Sequence, residues 1–205
     1  MTTLADRLRD RFGDIDIYLF DQLLRGRITG EMRVLDAGCG SGRNLRFLMH
    51  EGVTVFGSDE NEASIAALRR TAAQLAPALG ADHFRVERVE AMSWGDASMD
   101  AVISSAVLHF ARDDAHWEAM VAGMWRVLAP GGVFFARLAT DVGQPGLVPL
   151  GSGRWRLPDG STRYLVDHAR LVTTTGILGG ELLDPVRSSV VEGLRSMGTW
   201  VVRKR

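Results

Sequence analysis

Cysteine occurs once in this 205-residue chain, at Cys39, so intramolecular disulfides, four-cysteine zinc sites and three-cysteine iron–sulfur motifs are excluded. Cys39 itself, set between two glycines, reads as a small packed residue rather than a nucleophile. Lysine is as scarce: Lys204 is the only one, which argues against a pyridoxal Schiff base and a phosphate-loop lysine. The histidines at 50, 83, 109, 116 and 168 show no close metal-ligand spacing, so no metal is expected. A net charge of −1 gives no basis for a nucleic-acid groove. No stretch approaches the roughly 20 apolar residues that span a bilayer, and the first ten residues lack the apolar core of a signal peptide. A cytoplasmic protein with no membrane partner is therefore expected.

Glycine, by contrast, stands where turns need it. In Val34-Leu-Asp-Ala-Gly-Cys-Gly-Ser-Gly-Arg-Asn44 an apolar strand runs into a glycine corner, and Leu45, Phe47, Leu48 and Met49 then supply the apolar face of a helix. Such a corner tolerates unusual φ, lets a ligand approach the backbone and leaves free N–H groups at the helix start. Dinucleotide-binding folds place G-x-G-x-x-G at the same point. Here the spacing is G-x-G-x-G over Gly38, Gly40 and Gly42, and Asp36 lies two positions before the first glycine. A carboxylate there repels a pyrophosphate but suits the ammonium of an amino-acid ligand, directly or through water.

A second strand, Val53-Thr-Val-Phe-Gly-Ser-Asp59, ends in an acid and is followed by a helical stretch containing Ile65, Leu68 and Leu75. Asp59 at that strand end can accept hydrogen bonds from both ribose hydroxyls of an adenosine ligand; alternatively it caps the helix.

With these two motifs the chain resembles the class I S-adenosylmethionine-dependent methyltransferases, and further segments extend the resemblance over most of its length. His83 to Val89 reads as the third strand. Glu90-Ala91-Met92-Ser93-Trp94 is similar to the family's acidic-Ala-x-x-Pro-aromatic segment bordering adenine, with Ser93 replacing the proline. Asp100 to Phe110 resembles the fourth strand and the loop beneath the methyl group. Met124 to Arg137 resembles the helix, Pro-Gly-Gly turn and fifth strand that follow. Gly42-Arg-Asn44 and Trp125-Arg-Val-Leu128 are most similar to small bacterial tellurite-resistance-type methyltransferases.

The resemblance implies an α/β, doubly wound three-layer sandwich, with a mostly parallel seven-stranded sheet and an antiparallel C-terminal strand. It implies S-adenosylmethionine as cofactor and S-adenosylhomocysteine as product. Asp36 would bear on the methionine amino group, Asp59 on ribose and Glu90 on the adenine amino group, with Arg43 and Asn44 reaching the methionine end. Gly38, Cys39, Gly40, Gly42, Glu60, Ala91, Met92, Ser105 and Ala106 would complete the cofactor site. His109, just after the fourth strand, is the best-placed base or substrate contact, with a structural histidine as the alternative. Arg137, near the end of the fifth strand, would hold an anionic substrate or lower a nucleophile's pKa, or else sit in an ion pair at the pocket rim.

Ser104-Ser-Ala-Val107 stands where many DNA amino-methyltransferases carry Asn/Asp-Pro-Pro-aromatic, and the paired-glutamate segment of protein arginine methyltransferases is not seen. A small-molecule acceptor is therefore expected, with no nucleic-acid partner, on a monomer or homodimer. An aminopropyltransferase, a non-catalytic adenosyl-binding module and a nicotinamide dehydrogenase remain as alternatives.

One domain over 1–205 is expected, with a helical cap at 1–30, a cofactor-binding core at 31–139, a substrate-side segment at 140–182 and a strand pair at 183–205. Ile15 to Leu24 reads as an amphipathic helix that docks through Ile15, Leu19 and Leu23, with Tyr18 on its edge facing either the ligand or the domain surface, its hydroxyl then in water. Asp141 to Gly153, rich in glycine and proline, reads as a mobile loop. Trp155 to Val166 reads as two strands joined at Pro-Asp-Gly. Asp167 reads as the N-cap of a helix reaching about Leu178, and Pro185–Val191 with Met197–Arg203 as the closing strand pair.

Overall fold

The computed structural model describes residues 2–205. Its core is a sheet that starts from β1 (Val34–Ala37), every residue of which is buried. β1 pairs in parallel with β2 (Val55–Asp59) on one side and β4 (Met99–Ser105) on the other. Strands buried on both faces carry near-continuous apolar runs, which is why both read so clearly in the sequence. β3 (Phe84–Val86) extends the sheet beyond β2, and β5 (Leu128–Ala139) extends it beyond β4. β11 (Arg195–Lys204) runs antiparallel beside β5 and pairs with β10 (Arg187–Val191). The order β10-β11-β5-β4-β1-β2-β3 is thus the mostly parallel sheet of seven strands with one reversed strand; a short eighth, β9 (Gly180–Leu182), pairs with the end of β11.

Helices cover both faces. On one side α3 (Leu45–His50) and α4 (Glu62–Leu75) bury Leu45, Leu48, Met49, Ile65 and Leu68. On the other, α5 (Asp114–Val127) and α6 (His168–Ile177) enclose a layer in which Trp117 stacks on Tyr164 and Trp200. Trp200 is fully buried, and its indole N–H is satisfied by Thr175 Oγ1 at 2.9 Å. α1 (Leu4–Phe12) is capped by a reciprocal Thr3–Asp6 box, and α2 (Ile17–Leu24) by Asp16. Leu19 of α2 is completely buried, with Ile15 and Leu23 packed beside it, as the helical spacing predicts. Among the described residues no helix is long and apolar enough to cross a membrane.

Three expectations are corrected. The third strand covers only Phe84–Val86, because a turn of 3-10 helix at Ala81–His83 precedes it and another at Val89–Ala91 follows. The segment 141–153 is not all loop: β6 (Val148–Gly151) pairs with β7 (Arg154–Arg156), which pairs with β8 (Thr162–Tyr164) in a separate small sheet. Pro149 and Gly151 are tolerated because β6 is an edge strand with a register irregularity. Pro130-Gly-Gly132 is a bulge inside β5 rather than a turn before it, since the register jumps from Met99↔Leu128 to Ala101↔Val133. Gly131 has φ +80°, and a Cβ on Gly132 would stand 2.8 Å from the Asp100 carbonyl oxygen.

α5 also fixes the turn that carries Glu90. A Cβ on Gly123 would lie 2.5 Å from the Val89 carbonyl oxygen, so helix and turn touch backbone to backbone. Arg126 ties the same segment down, donating to the carbonyls of Met92 at 2.6 Å and Trp94 at 2.8 Å. Gly176 in α6 is the opposite case, with nothing within 4 Å of its would-be Cβ. Gly123→Ala should therefore lower unfolding free energy by roughly 1–3 kcal/mol despite alanine's helix preference. Gly176→Ala should raise it by about 1 kcal/mol. Urea denaturation of the two variants checks both signs.

Candidate functional site

The glycine corner lies at the carboxyl ends of the parallel strands, where open α/β sheets bind their ligands. Gly38, Gly40 and Gly42 all take positive φ, at 78°, 53° and 88°. A Cβ on Gly38 would collide with Val107, and one on Gly42 would come within 2.4 Å of Leu68. Gly40 differs: nothing lies within 4 Å of its would-be Cβ, and its N–H donates to Asp59 Oδ2 at 2.8 Å. Asp59 Oδ1 accepts from Asn61 N at 2.9 Å, while Asn61, not Asp59, caps α4. Asp59 thus links the ends of β1 and β2.

Beside this corner opens a cavity of about 420 Å³ lined by Gly38, Asp59, Glu60, Glu90, Ala106 and Val107 among others. Ala106 is held at φ 66°, a conformation that costs an L-residue roughly 1–2 kcal/mol, and its N–H donates to the Arg137 carbonyl at 2.8 Å. Strain at this point sets the chain turning out of β4 along the cavity wall. Glu60 is exposed and lies 3.4 Å from Arg88. Glu90 Oε1 faces His116 Nε2 at 3.2 Å. His116 Nδ1 accepts the Arg112 N–H at 3.1 Å, so in neutral imidazole Nε2 carries the proton and donates it to Glu90. Ala91 and Met92 stand behind the lining, where the Met92 sulfur accepts from Ser58 Oγ at 3.4 Å.

Asp36 lies beneath the corner, buried, with Oδ2 3.4 Å from Asn44 Nδ2 and Oδ1 without any partner. Burial pushes its carboxyl up to about 7; the Asn44 hydrogen bond and the Arg43 charge oppose the rise, and the charges of Asp59 and Asp16 add to it. Cys39 is buried, and its sulfur lies 2.9 Å from where a Cβ on Gly57 would be; burial raises its thiol well above the ordinary value, which suits a packed, inert residue.

Arg43, Asn44, Ser105, Arg137 and Tyr18 form a second polar group gathered by Asp16. Asn44 Oδ1 accepts the Asp16 N–H at 3.1 Å, and Ser105 Oγ, bound by Arg43 Nη2 at 3.0 Å, lies 3.2 Å from Asp16 Oδ2. Arg137 Nε lies 3.5 Å from the same oxygen, an ion pair whose geometry leaves Nε without a hydrogen bond, while Nη1 donates to Thr199 Oγ1 at 3.0 Å. The Arg137 guanidinium stands 4.1 Å from the centre of the Tyr18 ring. The Tyr18 hydroxyl is paired with Ser189 rather than water, which corrects the surface-packed alternative. Arg137 is buried, so its ion pair belongs to the interior rather than the rim.

His109 does not line the larger cavity. It sits in a 3-10 turn, Leu108–Phe110, and faces a second cavity of about 160 Å³. Its Nδ1 is buried without a partner, and burial, then the Arg163 charge, lowers its pKa to about 4. Sequence reasoning missed Asp16, His116, Arg112 and Ser189. Asp16 and His116 carry a local signal only as parts of helix caps, and their site contacts cross 89 and 26 residues of sequence. Among the described residues no group of three or more His, Cys, Asp and Glu side chains is placed to hold a metal ion.

Comparison with known proteins agrees with this geometry. Residues 34–132 match the family described as a methyltransferase domain. A malonyl-[acyl-carrier protein] O-methyltransferase of Enterobacter lignolyticus is 30% identical over 169 residues, covering 80% of this chain and 61% of that protein. The chain spans between 47% and 64% of the length of the curated relatives it matches first. Among solved structures, Burkholderia thailandensis 1,6-didemethyltoxoflavin-N1-methyltransferase, with bound 1,6-didemethyltoxoflavin and S-adenosylhomocysteine, superposes with TM-score 0.71 at 17% identity over 98% of this chain and 81% of that one. TehB from Haemophilus influenzae superposes with TM-score 0.65 at 21% identity over 91% of this chain and 62% of that one. Residues 34–132 thus belong to this methyltransferase-domain family, and the chain has the fold of the S-adenosylmethionine-dependent methyltransferases.

His109 and Asp36 make opposite contributions to stability against pH. The folded pKa of His109, about 4, lies below its ordinary 6.5, so its contribution is complete above pH 6.5 and is lost as pH falls toward 4. The folded pKa of Asp36, about 7, lies above its ordinary 3.8, so its contribution is complete below pH 3.8 and is lost as pH rises through 7. Denaturant unfolding at about pH 4.5 and about pH 8 should show His109→Gln less acid-sensitive, and Asp36→Asn less alkali-sensitive, than wild type. Variants that parallel wild type at both pH values would contradict the assignment.

Proposed function

We propose that this chain binds S-adenosylmethionine in the 420 Å³ cavity and transfers its methyl group to a small-molecule acceptor. The observation that carries the reading is the buried, unpartnered Oδ1 of Asp36 beneath a glycine corner whose central residue leaves open space for a ligand. An ammonium is the partner such an oxygen lacks, and the cofactor's methionine end carries one. Asp59 accepts from ribose while holding Gly40; Glu90, oriented by His116, meets the adenine amino group. Glu60 and Ala106 complete the wall on that side, with Ala91 and Met92 outside the lining. Gly38 and Gly42 keep the corner tight, and Cys39 packs it from below.

Arg43, Asn44 and Ser105 join the methionine end to Asp16, so the cap helix α2 closes on the site through the same acid that starts it. When bound, the cofactor supplies an electrophilic methyl group on a sulfonium, which leaves as a neutral thioether. The chain's task is then alignment and exclusion of water. Buried Arg137 and the half-buried Tyr18 ring form a cationic and aromatic wall toward the acceptor. His109 acts as a neutral acceptor contact, because a pKa of about 4 makes it a weak base. Asp59, Glu60, Glu87 and Glu90 around one cavity disfavour the diphosphate of a dinucleotide. The didemethyltoxoflavin enzyme is named for a small-molecule acceptor, which supports a small acceptor for this chain.

Asp59→Ala should weaken S-adenosylhomocysteine binding by on the order of 1–3 kcal/mol in calorimetry. The same variant should lose the protein-dependent release of S-adenosylhomocysteine from S-adenosylmethionine seen with a pool of thiols, carboxylic acids and hydroxylated metabolites. Unchanged affinity would remove Asp59 from the ribose site, and no turnover by wild type with any acceptor would leave only a binding module.

A further inference from the structure

The 160 Å³ cavity lies between the Leu108–Phe110 turn and the small sheet, and Arg112, Arg154, Arg163 and His109 line it together with Phe110 and Tyr164. Three arginines around so small a space make it electropositive, and an anion seated among them would relieve their mutual repulsion. None of the three forms an ion pair among the described residues. No carboxylate lines the cavity. Asp159, near enough to feel the charge of Arg163, spends its carboxylate on the Ser161 N–H at 2.8 Å. The Tyr164 hydroxyl is committed to Asp114 Oδ1 at 2.5 Å. Arg163 is held at the mouth by its own bond to the Thr162 carbonyl at 2.8 Å and by the Phe110 ring 5.1 Å away.

A second, independent observation comes from the floor. His109 is only 8% exposed, and its Nδ1 has no partner. A buried ring nitrogen without a partner is costly, and an oxyanion would accept its N–H. The cavity shares a wall with the larger one, because Phe110 and Arg112 line both.

The geometry points to this cavity as the seat of an oxyanion, a carboxylate or a phosphate, carried by the methyl acceptor. The charge follows from the arginines, with His109 as an uncharged hydrogen-bonding group beside them; that the anion belongs to an acceptor rests on the methyl-transfer reading above. Guanidinium forks match both groups, which is why arginine rather than lysine suits such a seat. The acceptor is then a metabolite anchored by its charged end at β7 and β8, with its reacting atom directed past Phe110 toward the cofactor cavity.

The test titrates succinate, its uncharged diamide succinamide, and inorganic phosphate into the full chain, with and without S-adenosylhomocysteine, at low ionic strength. Saturable binding of succinate alone assigns a carboxylate, and of phosphate alone a phosphate; succinamide should not bind. The double variant R154Q/R163Q should bind the anion at least about tenfold more weakly, while R154K/R163K keeps most of the affinity. S-adenosylhomocysteine affinity should be unchanged in R154Q/R163Q, which also reports that the variant is folded. No saturable anion binding, equal binding of succinate and succinamide, or an unaltered R154Q/R163Q would overturn the proposal. Anion binding that survives while S-adenosylhomocysteine fails to bind would keep the anion seat and sink the methyl-transfer reading instead.

Discussion

A carboxylate buried with one oxygen unpaired is the constraint on which the rest of this site depends. Asp36 sits inside β1, flanked by strands on both sides, and burial is the largest of the influences that carry its pKa to about 7. Removing a carboxylate from water is expensive unless something returns the lost interaction. The surroundings return part of it, through Asn44 and the charge of Arg43, and leave Oδ1 unpaired. On the proposed function, a cation entering the corner would supply the partner that Oδ1 lacks.

The elements that hold the site come from both ends of the chain. Asp16 caps α2 and receives Asn44, Ser105 and Arg137, so one acid couples the N-terminal helix to the ends of β1, β4 and β5. Arg137 in turn reaches Thr199 of the reversed strand β11, and Tyr18 reaches Ser189 of β10. Cofactor corner, cap helix and closing strands therefore form one connected set of polar contacts. Loss of Asp16 or Arg137 leaves its charged partner buried, which is costlier than the loss of a single bond.

Much of this was legible in the sequence because its signals are local. The glycine corner, Asp59 and the apolar runs of β1, β2 and β4 lie within short windows whose spacing reflects backbone geometry, and the structure places them side by side. The reversed strand and the helix begun by Asp167 were equally readable from turn and cap residues. The misreadings share a different origin. β3 is short because two 3-10 turns compete for its ends, and β6 is a strand only because β7 supplies its partner. The His116–Glu90 and Tyr18–Ser189 pairs cross 26 and 171 residues, where no periodicity links the partners. His109 was read correctly as lying just after β4, but which of two adjoining cavities it faces depends on the small sheet that packs against its turn.

The central claim is that the Asp36 corner receives the ammonium end of an adenosyl ligand. Its most direct test is calorimetric titration with S-adenosylhomocysteine near pH 7 in buffers of different ionisation enthalpy, with NAD as the control ligand. An ammonium beside Asp36 favours its charged form, so binding should release a proton from a carboxyl poised at about 7. The account predicts tight binding whose heat depends on the buffer in wild type and not in Asp36→Asn, and no heat with NAD. Binding of NAD in place of S-adenosylhomocysteine, or a buffer dependence identical in Asp36→Asn, would contradict it.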